Sequence, residues 1–168
     1  MPLYFAYGSN MDQAAMLQRC PASKPVGVAR LVRHRFFVTT DGYASVTRDP
    51  RRAVWGLLWD LALGDVPALD RWESLPSGLY AKTVQPVLTP QGPRRALLYI
   101  ARATRPGQPG PGYMEGVVAA AEAAGLPPEY RRELEAWLPG TRAADAPAGP
   151  VPKVRPLFAA PSSVRCAR

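Results

Sequence analysis

The chain has 168 residues, 47% of them apolar, which suits one domain with its own core and no covalent staples. Its formal net charge is +8, but only Lys24, Lys82 and Lys153 are lysines, and the arginines are scattered rather than set in a basic run interleaved with aromatics, so specific nucleic-acid binding is not expected. No apolar run is long enough to span a bilayer, the start Met1-Pro2-Leu3-Tyr4-Phe5 lacks the form of a signal peptide, and Cys20, Cys166 and the single His34 are too few for a structural zinc; the expectation is a cytoplasmic protein without a structural metal or membrane contact.

Leu3 to Tyr7 is an apolar, aromatic run bounded by Gly8, the pattern of a buried strand. Asn10, with Gln13 three residues later, has the form of a capping box. It opens a helix whose apolar face is Met11, Ala14, Ala15 and Leu17, and which Pro21 stops. Val26 to Leu31, Arg35 to Thr39 and Ala44 to Thr47 read as short strands, the last two joined by an Asp41-Gly42 turn. Val54 to Leu61 is apolar on both faces and predicts a central strand. Asp65 then caps a short helix to Trp72, with Pro67 in its first turn. Ser77-Gly78 turns the chain. Tyr80 to Leu88 and Arg95 to Ala101 form a hairpin around Gln91-Gly92-Pro93, and Arg51-Arg52 and Arg94-Arg95 fall at turns.

A Pro/Gly-rich loop from Thr104 to Gly112 leads to a helix from Tyr113 to Ala124, ended by Gly125, and Pro128 opens another that runs to Trp137. Beyond Pro139, proline, alanine and glycine dominate without period. The chain thus divides into a body, residues 1–138, and a Pro/Ala-rich tail, residues 139–168. Strands do not alternate regularly with helices, so the fold class is α+β, with a mixed sheet curling into a small β-barrel flanked by helices.

Two segments could carry chemistry. In Tyr7-Gly8-Ser9-Asn10 a strand runs into a tight turn that opens a helix, where amides without intrahelical partners favour anionic oxygen. An ordinary strand-to-helix turn with a Ser/Asn cap accounts for the same residues. In Leu69-Asp70-Arg71-Trp72-Glu73, the glutamate follows an aromatic and precedes Leu75-Pro76; apolar surroundings would raise its pKa toward neutrality. It is the only one of six glutamates outside the two late helices. A solvated carboxylate at a helix end is the alternative. His34, between Arg33 and Arg35, and Cys20, beside Pro21, read as structural; Tyr80 and Tyr113, next to glycine-rich turns, are explained as well by packing as by a cleft.

Tyr4-Phe5-Ala6-Tyr7-Gly8-Ser9-Asn10-Met11 resembles the F-A-Y-G-S-N signature of the gamma-glutamylcyclotransferase superfamily. Val54-Trp55-Gly56-Leu57-Leu58-Trp59 is similar to its V-W-G-x-x-W/Y strand, Leu69-Asp70-Arg71-Trp72-Glu73 to its L-D-x-x-E segment, and Ser77-Gly78-Leu79-Tyr80 to the element that follows. Pro109 to Tyr113 and Gly125-Leu126-Pro127-Pro128-Glu129-Tyr130 look like gamma-glutamylcyclotransferase proper rather than the shorter gamma-glutamylamine cyclotransferases. The resemblance runs from about Leu3 to Trp137; Ser74 stands where the family often has glycine, and the tail matches nothing in it.

The resemblance implies an enzyme that cyclises the gamma-glutamyl group of gamma-glutamyl amino acids to 5-oxoproline and releases the amino acid. Glu73 would carry the proton; Tyr7, Gly8, Ser9, Asn10, Tyr80 and Tyr113 would contact substrate; no metal or cofactor is implied. The same cyclisation on a gamma-glutamyl amine or a gamma-glutamyl-protected biosynthetic intermediate stays open, as does a non-catalytic small-molecule-binding relative. The retained Glu73 favours the enzyme. The only partner expected is the small-molecule gamma-glutamyl substrate, with a homodimer left open.

Overall fold

Strand β1, Leu3–Ala6, is the shortest of five among the described residues and joins the two ends of the sheet. It lies antiparallel to one neighbour and parallel to another, and that parallel pairing makes the sheet mixed. The computed structural model describes residues 1–140; the Pro/Ala-rich tail beyond Gly140, Cys166 included, lies outside them.

The segments predicted as four separate strands are two long ones, β2, Lys24–Val38, and β3, Ala44–Asp60. They pair antiparallel through most of their lengths. The polar stretch Arg48 to Arg52 misled the sequence reading, because it carries no apolar alternation. It lies at the larger of two register irregularities: Val32 faces Ala53 while His34 faces Arg48, so Asp49 to Arg52 have no partner on β2; a smaller shift lies between Pro25 and Gly27. Arg33, between Val32 and His34, adopts a left-handed φ of 60°. Arg51-Arg52 and Arg94-Arg95 accordingly sit within strands rather than at turns.

Strands β4, Tyr80–Thr89, and β5, Gly92–Ala101, form the expected hairpin, with a turn tighter than predicted at Pro90-Gln91. The order β1-β3-β2-β4-β5 closes into a barrel through the β5–β1 pairing. Closure removes the exposed sheet edges that an open sheet would present. Close approach of β3 to its neighbour β1 needs Gly56: a Cβ there would lie 2.2 Å from the Ala6 carbonyl oxygen and 2.9 Å from the Phe5 ring. The core fills with Phe5, Leu31, Leu58, Trp59 and Leu98.

Among the described residues four α-helices flank the barrel: α1 Gln13–Arg19, α2 Val66–Trp72, α3 Tyr113–Ala123 and α4 Pro128–Glu135. Of the two caps expected near them, one is displaced and one holds its position without a capping bond. The cap of α1 is Asp12, which accepts from the Ala15 N–H at 3.1 Å; Asn10 sits earlier, in a 3-10 turn over Ser9–Met11. The face of α1 that packs inward carries Met16, not Ala14 and Leu17. Asp65 makes no capping bond. Its buried carboxylate instead accepts from Ser23 Oγ at 2.7 Å and the Ala22 N–H at 3.0 Å, tying the end of α1 to the start of α2. Helix α3 buries Met114, Val117 and Ala121 against the body, and α4 adds Tyr130 and Leu134. No helix among the described residues is long and apolar enough to cross a membrane.

Candidate active site

Glu73 follows the last residue of α2, and its N–H still bonds the Leu69 carbonyl at 2.9 Å. The chain then reverses through Ser74, whose φ of 51° is left-handed. Glycine takes that conformation freely, whereas a side chain costs about 1–2 kcal/mol. The reversal turns Glu73 into a cavity of about 400 Å³ and leads the backbone back toward Tyr80.

The carboxylate is not free in that cavity. Asn10 Nδ2 donates to Glu73 Oε1 at 2.7 Å and to the Tyr4 hydroxyl at 2.9 Å; the Tyr4 hydroxyl itself lies 3.4 Å from Glu73 Oε1. Asn10 and Tyr4 are each 3% exposed. Burial pushes the Glu73 carboxyl up to about 7, against the opposing pull of the Tyr4 hydroxyl, the Arg19 charge and the Asn10 amide. The C-terminal end of α2 disfavours an anion in the same direction as burial. Glu73 is therefore poised to exchange a proton near neutral pH.

Five further tyrosines line the cavity, and most of their hydroxyls are tied to the frame. Tyr7 donates to the Tyr99 carbonyl, Tyr80 to the Ala44 carbonyl at 2.8 Å, and Tyr99 to Asp70 Oδ1. Asp70 also accepts from Lys82 Nζ at 2.7 Å. The Tyr113 hydroxyl accepts from the Ala44 N–H at 3.1 Å and lies against the amide and hydroxyl of Ser9. Burial raises the pKa of all four phenols, Tyr113 to about 12, so they remain neutral donors. Tyr43 stands at the mouth, its ring edge-on to Tyr113.

The turn after β1 supplies two amides without partners in the turn, those of Ser9 and Asn10; the turn's own bonds run from Met11 N–H to Gly8 O at 3.0 Å and from Asp12 N–H to Ser9 O at 3.1 Å. Gly8 is required for space, not for an unusual φ, which at −123° is ordinary. A Cβ at Gly8 would lie 3.0 Å from the Tyr113 hydroxyl and 3.2 Å from Ala44 Cβ.

Glu73, Tyr7, Gly8, Ser9, Asn10, Tyr80 and Tyr113, chosen from sequence, all line this one cavity. Asn10 enters it through its side chain rather than as a cap. His34 and Cys20 lie elsewhere, His34 with Nδ1 against the Val32 carbonyl and Cys20 fully buried. Sequence reasoning missed Tyr43, Trp72 and Tyr99 as lining residues and Arg19 behind them. Tyr99 is a core-facing residue of β5 like its neighbours in type, and Arg19 reads as an ordinary cation in the last turn of a helix; neither carries a local signal. Among the described residues no group of three or more His, Cys, Asp and Glu could hold a metal ion.

Comparison with known proteins agrees with this geometry. Residues 53–134 match the AIG2-like family. The gamma-glutamylcyclotransferase of Homo sapiens is 29% identical over 148 residues, covering 82% of this chain and 79% of that protein, and the gamma-glutamylcyclotransferase of Mus musculus matches at the same identity and coverage. A solved structure of a gamma-glutamyl cyclotransferase superposes with a TM-score of 0.77 at 27% identity, covering 86% of this chain and 92% of that one. With the closed barrel, the glycine turn after β1 and the glutamate after α2 all in the order its motifs require, these similarities support the gamma-glutamylcyclotransferase superfamily for this chain.

Proposed function

We propose that the chain is a gamma-glutamylcyclotransferase-type enzyme that converts gamma-glutamyl amino acids to 5-oxoproline and the free amino acid, without a cofactor. The observation that carries the reading is the Glu73 carboxyl, shifted to about 7 in a tyrosine-lined cavity and hydrogen-bonded by Asn10. Its similarity to curated gamma-glutamylcyclotransferases supports the class of reaction.

In this reading the substrate's α-ammonium gives a proton to the Glu73 carboxylate. The freed amine attacks the gamma-carbonyl carbon of the same residue, forming the lactam C–N bond and a tetrahedral oxyanion. That oxyanion is held by the Ser9 and Asn10 amides or by the Tyr113 hydroxyl. Collapse breaks the original C–N bond; Glu73 returns its proton to the departing nitrogen, which is too basic to leave as an anion, and the ring nitrogen's second proton passes through water to the freed amine, leaving a neutral lactam and an ammonium. Nucleophile and electrophile share one molecule, so folding the substrate in the cavity supplies much of the rate and no covalent intermediate is needed. Glu73, Tyr7, Gly8, Ser9, Asn10, Tyr80 and Tyr113 all precede the end of the proposed catalytic domain, residues 1–138.

The leaving group would extend toward the mouth, where Tyr43 and Trp72 are half-exposed. Those aromatic faces suit an amine without a carboxylate as well as an amino acid, so both belong in the test. The protein is incubated with gamma-glutamyl dipeptides of small, apolar and charged amino acids and with gamma-glutamyl amines, and 5-oxoproline is measured. Turnover of dipeptides is expected; no 5-oxoproline from any substrate by folded protein would reject the reading.

A further inference from the structure

The last turn of α1 carries Arg19 to the back of the cavity wall. Its guanidinium carbon lies 3.5 Å from the centroid of the Trp72 ring, and its Nη1 donates to Asn10 Oδ1. Both contacts lead to Glu73. Trp72 is its chain neighbour, and Asn10 donates to its carboxylate at 2.7 Å. Arg19 therefore ties α1, the turn after β1 and the end of α2 together around one carboxyl group.

The bond to Asn10 has a consequence for direction. The oxygen and nitrogen of an asparagine amide are nearly equal in size, and a half-turn exchanges them. The Tyr4 hydroxyl can donate or accept, so it does not choose between the two orientations. A protonated Glu73 can also do either. Arginine has five N–H donors and no acceptor. It admits only Oδ1 on its side and so sends Nδ2 toward Glu73.

We propose that Arg19 is a positioning residue for the proton-carrying group: it locks the Asn10 amide in the orientation that donates to Glu73, and its charge keeps that carboxylate accessible in a cavity walled by neutral rings. The inference rests on Glu73 being the acid–base group. The surroundings fit it. Of the groups that face Glu73, Tyr4 and Tyr7 come from β1 and the turn after it, Tyr80 from β4, Tyr99 from β5 and Tyr113 from α3, and burial holds each phenol in its neutral form. Arg19 supplies the favourable charge that partly offsets the burial of the carboxylate. Stacking on Trp72 holds the guanidinium plane, and a lysine there would keep the charge but not the planar fork.

The test compares wild type with Arg19→Met, which keeps an unbranched apolar stem but removes charge and donors, and with Arg19→Gln, which keeps a donor without the charge. The Glu73 side-chain carboxyl is titrated by carbon-13 NMR and assigned by its loss in Glu73→Gln; the pH dependence of 5-oxoproline formation is measured in parallel. In Arg19→Met the Glu73 midpoint is expected to rise by about one pH unit or more. The acid limb of kcat/KM should move with it, so that activity falls about tenfold at pH 6 and less at pH 8. Arg19→Gln should show a smaller rise. An unmoved midpoint in folded Arg19→Met, with activity lowered equally at every pH or only the melting temperature reduced, overturns the proposal. Should Arg19→Met not fold, an unmoved midpoint in Arg19→Gln overturns it instead. Because the titration needs no turnover, a protein inactive on every substrate whose Glu73 midpoint still rises supports the positioning role while rejecting the proposed reaction.

Discussion

The Asn10 side-chain amide spends both of its protons on one side, donating to Glu73 Oε1 at 2.7 Å and to the Tyr4 hydroxyl at 2.9 Å. Donation to an ionised acceptor is the stronger kind of hydrogen bond, so the arrangement stabilises Glu73 as the base. When Glu73 takes a proton the bond weakens, and the return of that proton to a leaving nitrogen is favoured. Glutamine at this position keeps the size and an acceptor oxygen but cannot cycle a proton. Glu73→Gln is therefore expected to fold, to bind substrate and to lose about 10² to 10⁴ in rate. Single-turnover formation of 5-oxoproline at saturating substrate measures this. Retention of more than about a tenth of the wild-type rate would remove Glu73 from the mechanism.

The same substitution has a pH signature in stability. The folded-state pKa of Glu73, about 7, lies above the ordinary value near 4.5, so the folded protein binds more protons than the unfolded chain between those values. Stability is favoured by this group below about pH 4.5 and is lost as pH rises through 7. Glu73→Gln removes that dependence. The stability of Glu73→Gln relative to wild type should increase from pH 4.5 to pH 8 by up to about 3 kcal/mol, less where cavity water screens the charge. Denaturant melts at the two pH values test it; a relative stability that stays flat means the carboxyl is not shifted.

At Gly8 the limit is steric. An added methyl meets the Tyr113 hydroxyl at 3.0 Å and Ala44 at 3.2 Å, so the ring or the turn must move by a few tenths of an ångström. Gly8→Ala is expected to fold with a modest stability loss and to reduce kcat more than it raises KM, because donors to the developing oxyanion are displaced. Gly8→Val should be more severe. Unchanged kinetics in folded Gly8→Val would mean that the turn shapes the barrel end and nothing else.

Ser74 carries a left-handed backbone beside the proton-carrying residue. Ser74→Gly relieves the side-chain clash, at the cost of a more flexible unfolded chain. The expected outcome is a stabilisation of about 0.5–1 kcal/mol, read as a higher melting temperature, with activity within about twofold of wild type. A destabilised Ser74→Gly would show that the serine hydroxyl or the strain itself serves the site.

Several elements were legible from the chain alone because their determinants are local. Gly125 after an alanine-rich run ends α3, Pro128 opens α4, and the aliphatic run from Val54 builds the buried part of β3. The residues Glu73, Gly8, Ser9 and Asn10 could be singled out because a tight glycine turn and a carboxyl among apolar neighbours are short-range patterns. What the chain could not reveal depends on partners far away in sequence. Arg48 pairs with His34 of β2, and Asp49 to Arg52 are carried as an excursion between that pair and Val32–Ala53, a placement no local pattern announces. Asp65 and Asn10 look like caps, yet a side-chain oxygen or amide follows the best available partner, and tertiary packing offered Ser23 to one and Glu73 to the other. The shift of Glu73 toward 7 likewise comes from rings on β1, β4, β5 and α3 that exclude water together, with the charge of Arg19 set against them. Local sequence determined which groups could exchange a proton; closure of the barrel decided which one is dry enough, and well enough held, to do so near neutral pH.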